Sequence, residues 1–232
     1  MFDVQSGASH VIRDQAGQNV KSSLFYTWTR STRDDVVLPT RGYFLRSNTE
    51  LAGLGGDSQF VKGDFVAQGH WTPSFAGLFT LTQTLKFGHI LPCNDSNPIR
   101  LPDRFQMGGP TSIRGFTLNS LGPRQFSDSL GGTSFMETGL QLSFPFLQSA
   151  AHFARAHMFV NAGLLGDLDQ NKIQAAINNP RSIKPNVSVG GGLMFKMAET
   201  ARLELNFAVP LVKPDGLKCE RGIQVGLGME FL

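Results

Sequence analysis

The feature that most constrains this chain is a two-residue alternation of apolar and polar side chains, which recurs along most of its 232 residues. Such alternation is typical of a β-strand whose two faces meet different surroundings. Nine segments show it: 20–31, 42–52, 59–71, 78–90, 134–146, 154–165, 186–198, 200–210 and 221–232. Strands of soluble sheets usually have about five or six residues, whereas a tilted strand that crosses a bilayer needs about 9–11. The segment lengths therefore favour membrane-spanning strands.

The two faces of the predicted strands differ sharply in polarity. One face carries side chains such as Leu203 and Leu205, and the other carries nearly every charge in the middle of a strand, including Lys62, Glu137 and Glu204. A soluble sandwich would show the same alternation with its apolar face inward, so this pattern alone leaves both architectures open. Aromatic residues near strand ends favour a membrane barrel, because they form girdles at the two interfaces. These aromatic residues are Trp28, Trp71, Phe87, Phe144 and Phe231.

The predicted connections are also unequal on the two sides of the sheet. One side has the loops 53–58, 91–133, 166–185 and 211–220, and the other has 32–41, 72–77, 147–153 and a two-residue turn at 198–199. Long loops on one side and mostly short turns on the other are typical of outer-membrane barrels. The sequence thus predicts an all-β, antiparallel transmembrane barrel. Within the loop 166–185, the stretch LDQNKIQAAINN could form a short surface helix.

Composition narrows the function classes. Charged residues make up 17% of the chain, below the roughly 25% of soluble domains. The net charge of +3 is scattered without a basic block, which argues against nucleic-acid binding. The five histidines and two cysteines lack metal-ligand spacing, and the sequence contains neither a phosphate-binding loop nor a nucleophile elbow. We therefore expect no enzyme, no cofactor and no metal site.

Nine strands is an awkward number for a closed barrel. Bacterial single-chain barrels have even strand numbers, and an open sheet edge in hydrocarbon leaves backbone groups unpaired, at several kcal/mol each. Because the last strand looks like a true end, we expect the missing strands to belong before the first one.

A long glycine-rich segment carries the most specific motif. Residues 104–116 read RFQMGGPTSIRGF, followed by Leu121-Gly122-Pro123 and by Gly131-Gly132. Together with PTRGY at 39–43, ELAG at 50–53, NAG at 161–163 and ARLELN at 201–206, this segment resembles the bacterial surface antigen family, the barrel domain of the outer-membrane protein assembly superfamily. The resemblance covers about residues 20–232 and is closest to the mitochondrial branch, the barrel subunits of the sorting and assembly machinery.

The resemblance implies a sixteen-stranded family barrel whose motif loop lies between strands eleven and twelve. Four predicted strands precede the loop here and five follow it, so the chain resembles the C-terminal part of such a barrel, about nine strands, with residues 1–19 as a polar N-terminal segment. The family mechanism uses a lateral seam between the first and last strands. We therefore expect that this chain alone cannot form the seam.

The resemblance also implies that the motif loop folds back into the barrel lumen. Arg114 would then need acceptors inside, because an unpaired buried charge is very costly. The aligned wall positions, Gln141 and Asn161, are neutral amides, so Glu137 is the expected charged partner. Gly115 would allow close backbone approach and Phe116 would pack as an apolar plug. The proposed loop residues are Gly108, Gly109, Ile113, Arg114, Gly115 and Phe116.

The last predicted strand carries a second motif. Its pattern of polar, glycine and apolar positions, formed by Gln224, Gly226, Met229 and Phe231, resembles the β-signal of mitochondrial barrel precursors. A strand with one apolar face can add to an open sheet edge by β-augmentation. Any final barrel strand would look similar, so this motif is less specific than the loop.

The resemblance implies a membrane protein of the mitochondrial outer membrane that assists the insertion and folding of β-barrel precursors. Its expected partners are the lipid bilayer, those precursors and accessory subunits of an assembly complex. The alternatives are a passive secretion or import pore of the same superfamily, in mitochondria or in the bacterial outer membrane, and a soluble β-barrel binding protein.

Overall fold

The computed structural model describes residues 9–15, 17–73, 79–94, 99–126, 128–146, 153–167, 184–213 and 222–229. Nine long strands form one antiparallel sheet, in which they follow one another in chain order. They are β1 Lys21–Ser31, β2 Gly42–Gly56, β3 Phe60–Trp71, β4 Thr80–Pro92, β7 Ser134–Pro145, β8 Ala154–Gly166, β9 Asn186–Lys196, β10 Ala201–Val212 and β11 Gly222–Met229. Two-residue strands β5 Arg124–Gln125 and β6 Asp128–Ser129 pair with each other, α1 spans His10–Asp14, and one 3₁₀ turn spans Leu101–Asp103.

All nine predicted strands are confirmed, and their order follows the chain. The main differences are at strand ends. β2 continues to Gly56 rather than ending at 52, and β9 ends at Lys196 rather than 198, where a turn joins the amide of Met197 to the carbonyl of Ala201. The helix considered for 168–179 lies outside the described residues. No helix in the described ranges is long and apolar enough to cross a membrane.

Burial in this sheet is the reverse of burial in a soluble protein. Polar side chains lie inside the curved sheet, where Glu204 is 3% exposed, while apolar ones face outward, where Ile223 is 79% exposed. The exposed apolar set includes Leu24, Trp71, Phe87, Met136, Leu140, Met158, Phe207, Val225 and Leu227. An apolar surface this extensive needs lipid rather than water around it. The soluble alternative is therefore not favoured, and the partial transmembrane barrel is confirmed.

Connections that fold inward supply two of the three buried apolar clusters in the described residues. Met107, Ile113, Phe116 and Leu121 of the long connection 93–133 form one buried cluster, against which Phe135 and Leu165 pack. The expected inward-folded loop is thus confirmed. A second cluster was not predicted: Val37 and Leu38, in the short turn 32–41, pack with Met194 of β9. The sheet is therefore filled from both ends.

Candidate functional site

Glycines shape the motif loop, which we define as residues 105–122. Gly108 and Gly109 have φ of 110° and 112°, and Gly115 has φ of 85°. L-residues with a side chain rarely adopt such angles, so glycine at these positions permits the sharp bends of the loop. A Cβ on Gly108 would lie 2.7 Å from the carbonyl oxygen of Thr117. These bends direct the tip of the loop into the concave face of the sheet.

Arg114, at the tip of the loop, forms a buried ion pair with Glu204 of β10. Its Nη2 and Nε donate to one Glu204 carboxylate oxygen, Oε2, at 2.7 and 3.2 Å. Asn206 Nδ2 donates to the same oxygen at 3.0 Å, and the guanidinium lies 4.5 Å from the centroid of the Phe159 ring. A charge-assisted pair with added hydrogen bonds is the arrangement that offsets the desolvation of two buried charges.

The expected partner, Glu137, is therefore corrected to Glu204. Glu137 instead accepts hydrogen bonds from Lys86 Nζ at 3.1 Å and from Ser112 Oγ at 3.0 Å. Ser112, two residues before Arg114, is the loop residue that binds Glu137. Arg114 lies farther along the loop and binds Glu204 instead.

The two aligned amides do not bind Arg114 through their side chains either. Asn161 Nδ2 donates to the carbonyl of Ser112 at 3.5 Å, a contact at the limit of a hydrogen bond. Gln141 Nε2 lies 3.6 Å from the sulfur of Met194. Gln141 thus contacts Met194, the residue of β9 against which the short turn packs.

The backbone on either side of Arg114 is bound by the side chain of Gln224 in β11. The Gly115 amide donates to Gln224 Oε1 at 2.7 Å, and Gln224 Nε2 donates to the Phe116 carbonyl at 3.2 Å. One side-chain amide therefore satisfies a donor and an acceptor of the loop. Gly115 sits close to β9 and β10, since a Cβ there would lie 3.2 Å from Ala208 Cβ and 3.6 Å from Ser188 Cβ.

Small residues of the wall make room for the loop. A Cβ on Gly163 would lie 2.8 Å from Ile113 Cδ1 and from Met107 Sδ. A Cβ on Gly226 of the last strand would lie 3.2 Å from Pro110 Cβ. The two motifs predicted separately, the loop and the last strand, are thus in direct contact through Gln224, and the loop leaves no room for a side chain larger than glycine's at Gly226 without a small shift. Met229 ends β11, and Phe231 lies outside the described residues.

This loop and sheet match known proteins. Residues 2–231 match the family model described as the Omp85 superfamily domain. The chain belongs to the Omp85 superfamily.

Proteins similar to this Omp85 domain are named as assembly components. A "SAM50-like protein" of Schizosaccharomyces pombe is 36% identical over 229 residues, which cover 97% of this chain and 48% of the relative. The human "Sorting and assembly machinery component 50 homolog" is 37% identical over 231 residues, covering 97% of this chain and 49% of the relative. The chain therefore spans about half the length of the curated relatives it matches.

A solved structure shares the fold of the Omp85 domain. The crystal structure of BamA from Haemophilus ducreyi lacking POTRA domains 1-3 superposes with a TM-score of 0.73 at 18% identity. The superposition covers 89% of this chain and 42% of that chain. The resemblance found in the sequence is thus confirmed at the level of the superfamily and its fold.

The entrance of the Omp85 motif loop is tied to the opposite half of the sheet. Lys21 of β1 lies 2.7 Å from Asp103 and 3.0 Å from Glu50, and Lys62 donates to the Asp103 carbonyl at 2.8 Å. Lys62 also lies 4.5 Å from the ring centroid of Phe105. The loop therefore spans the concave face, with its entrance on β1–β3 and its tip on β10 and β11.

Several functional contacts were not predicted from the sequence. Glu204 lies in the ARLELN segment that carried part of the resemblance, and its place as a mid-strand carboxylate on the polar face was an available signal. No sequence signal pointed to Asp103 or Ser188, because their positions at the site depend on the path of the loop across other strands. In the part of the chain that the structure describes, no three His, Cys, Asp or Glu side chains form a group able to hold a metal ion.

Proposed function

We propose that this chain is part of a barrel that assists the insertion and folding of β-barrel precursors in the mitochondrial outer membrane. The relatives named as sorting and assembly machinery components support this role, as does the lipid-type exterior of the sheet. The observation that carries the proposal is the double hydrogen bond between Gln224 and the motif loop, because it holds the last strand from within.

The last strand offers a template for an incoming strand. β11 pairs with β10 along one edge and forms an outer edge of the sheet with the other. Backbone groups on such an edge can pair with an extended segment by β-augmentation. The outward apolar residues Ile223, Val225 and Leu227 would match a precursor strand that also faces lipid. The hydrogen bonds of Gln224 keep this template in register while its outer edge exchanges partners.

The ion pair of Arg114 fixes the position of the loop that holds β11. Arg114 contacts β10, whereas its neighbours Gly115 and Phe116 contact β11. A shift of the loop would therefore separate a buried charge pair, which is strongly unfavourable. In this proposal Gly108, Gly109, Ile113, Arg114, Gly115 and Phe116 position the template strand, and Gln224 and Gly226 receive the loop.

The division of the chain into two parts belongs to the same proposal. We place the barrel domain at residues 20–232 and a polar segment at 1–19. β1 begins at Lys21, and the amide of Ser9 donates to Asp128 Oδ2 at 2.9 Å. Ser9 thus contacts the long connection that contains the motif loop.

The proposed role is the guidance of strand pairing and needs no catalytic side chain, cofactor or nucleic acid. Its partners are lipid, β-barrel precursors and accessory subunits of an assembly complex. The names of the similar proteins, which describe components of an assembly machinery rather than enzymes, support this choice.

A chimaera tests the proposal. This chain replaces the matching 229 residues of the Schizosaccharomyces pombe relative, and assembly of a radiolabelled barrel precursor is measured in isolated mitochondria. We expect assembly with the chimaera, a large loss when it carries Gln224→Ala, and no loss with Arg41→Met, an exposed change at the opposite end of the sheet. A chimaera that inserts into the membrane but supports no assembly would contradict the proposal.

A further inference from the structure

A polar cavity lies between the motif loop and the short turn 32–41. It has a volume of about 90 Å³ and is bounded by Leu38 of the turn and by Thr111 of the loop. Its walls are inward-facing side chains of β3, β4, β7, β8 and β10, many of them hydroxyls or amides. This volume accommodates several water molecules or one small polar group, but no lipid chain.

Positive charge exceeds negative charge around this cavity. The cationic side chains that line it are Lys86, Arg114, Arg155 and Arg202. Two carboxylates meet three of these four. Glu137 pairs with Lys86, and Glu204 pairs with both Arg114 and Arg202, at 2.7 and 2.8 Å.

Among the described residues, Arg155 is the one cation of this cavity that has no carboxylate partner. It is 6% exposed, and its Nη2 donates to Thr80 Oγ1 at 2.7 Å. Its Nε is buried with no hydrogen-bond partner, and among the described residues no carboxylate lies within 4.0 Å of the guanidinium. A buried charge without a counter-charge costs several kcal/mol, so this position is unfavourable unless an anion accompanies it.

Asp34, an acid of the short turn, is already engaged in hydrogen bonds within that turn. Asp34 attracts Arg155 electrostatically without forming an ion pair with it. Its Oδ1 accepts the amides of Thr40 and Arg41, and its Oδ2 accepts the hydroxyl of Thr40. These bonds hold Asp34 in the short turn. It therefore shapes the turn rather than neutralising the guanidinium.

Further donors face the same cavity. His70 is 9% exposed, its Nδ1 shares a hydrogen bond with Thr82 Oγ1 at 3.0 Å, and its Nε2 is buried without a partner. Ser143 and Thr84 add hydroxyl groups to the wall. In the tautomer whose Nδ1 accepts the Thr82 hydroxyl, Nε2 carries the ring hydrogen, so this second unpartnered nitrogen can donate to a ligand that accepts hydrogen bonds.

We propose that this cavity binds one small oxyanion of the phosphate class, with Arg155 as its anchoring residue. The planar guanidinium offers paired donors that match two oxygens of an oxyanion, whereas a halide is a single acceptor atom. The hydroxyls and His70 complete a shell of donors. The anion would neutralise Arg155 and join the walls of β3, β4 and β8 beneath the motif loop. Inorganic phosphate and the headgroup of an anionic lipid share this chemistry.

Titration of inorganic phosphate tests the site. The full chain is folded in a maltoside detergent, which contains no phosphate, and binding is measured by calorimetry. We expect saturable binding of one phosphate per chain and binding at least about tenfold weaker in Arg155→Met, because a hydrogen bond to a charged group is worth about 1.5–3 kcal/mol. Arg41→Met, an exposed arginine at the same end of the sheet, should bind like the parent chain.

A second variant and a fold check make the result decisive. His70→Phe should weaken phosphate binding severalfold, and near-ultraviolet circular dichroism shows that each variant is folded. The absence of saturable phosphate binding by the folded parent chain overturns the proposal, and so does equal binding by Arg155→Met. Phosphatidic acid added to the micelles distinguishes the sources: competition with phosphate assigns a lipid headgroup, and lack of competition assigns the free ion.

Discussion

Two segments fold into the sheet from opposite ends, and they are held by different kinds of interaction. The motif loop enters from the side of the long connections and is fixed by the buried pair of Arg114 and Glu204. The turn 32–41 enters from the side of the short turns and is fixed by Val37 and Leu38 against Met194. An ion pair between Asp35 and Lys196, at 2.7 Å, adds to the turn, but both side chains are partly exposed to solvent.

The difference shows where a fold of this kind concentrates its stability. A buried charge pair is costly to break, because one unpaired charge remains behind, at about 3–5 kcal/mol. A solvent-exposed pair contributes only about 0.2–1 kcal/mol. The motif loop should therefore move only as a unit with β10 and β11, whereas the turn can loosen alone. The changes below test this contrast in order of expected effect.

The largest effect is expected from Glu204→Gln. The substitution keeps the shape of the side chain but leaves Arg114 charged and buried, which should lower the free energy of unfolding by about 3–5 kcal/mol. Urea unfolding of the refolded chain in detergent micelles, followed by the fluorescence of Trp28 and Trp71, measures this loss. The double variant with Arg114→Met removes the buried unpaired charge and leaves only Arg202, whose side chain is 34% exposed, so it should recover part of this loss. A loss below about 1 kcal/mol in the single variant would show that the pair does not anchor the loop.

A smaller effect is expected from Gln224→Ala. The change leaves the Gly115 amide and the Phe116 carbonyl without their partner in a buried site. Since each buried unsatisfied group costs about 1–3 kcal/mol, we expect a loss of about 2–3 kcal/mol after partial relaxation. Gln83→Ala in β4 is a suitable control, because the Gln83 side chain is on the outward face of a central strand. Equal losses of unfolding free energy in Gln224→Ala and Gln83→Ala would show that the contact of β11 with the loop does not stabilise the fold.

Gly115→Ala should have a still smaller effect. The backbone angle of φ 85° is unfavourable for alanine by about 1–2 kcal/mol, and the new Cβ would lie 3.2 Å from Ala208 Cβ. Gly63→Ala in β3 is the matched control, because a Cβ there meets nothing within 4 Å. In the same urea measurement, the free energy of unfolding of Gly115→Ala should be at least about 1 kcal/mol lower than that of Gly63→Ala. Similar stabilities would mean that the loop backbone adjusts freely.

The sequence predicts most of the sheet, because the position of a strand and the side of the sheet on which each side chain lies are local properties. The two-residue alternation in β10, for example, identifies both the lipid-facing Leu205 and the inward Glu204. Inward folding of the motif loop was expected only through the family resemblance. Its glycines at 108, 109 and 115 agree with the bends that the structure shows.

The contacts between the loop and the wall were harder to predict, because they depend on how far the loop crosses the sheet. Glu137 and Glu204 are equivalent as inward acidic residues in the sequence, and only the path of the loop decides that Ser112 meets the first and Arg114 the second. The inward turn 32–41 was missed for the same reason. Val37 and Leu38 are apolar residues in a turn, and nothing local indicates that Met194 of β9 covers them.

The smallest effect is expected at the short turn, and it should depend on pH. Partial burial opposes the charge of Asp35, but hydrogen bonds from Lys196 and from the amides of Leu38 and Val37 prevail and lower the pKa of this carboxyl. A carboxyl whose pKa is lowered in the folded state adds stability above its unfolded pKa of about 3.9 and loses it as the pH falls through the folded value.

Asp35→Asn should therefore cost up to about 1 kcal/mol at pH 7, less in high salt, and nothing well below pH 4. Unfolding in urea at pH 7 and at low pH, with and without salt, measures the difference. Glu199→Gln is the control, since Glu199 also pairs with Lys196 but its side chain is 92% exposed and should contribute almost nothing. If Asp35→Asn proved as damaging as Glu204→Gln, the short turn would be as firmly held as the motif loop, and the contrast between the two ends of the sheet would be wrong.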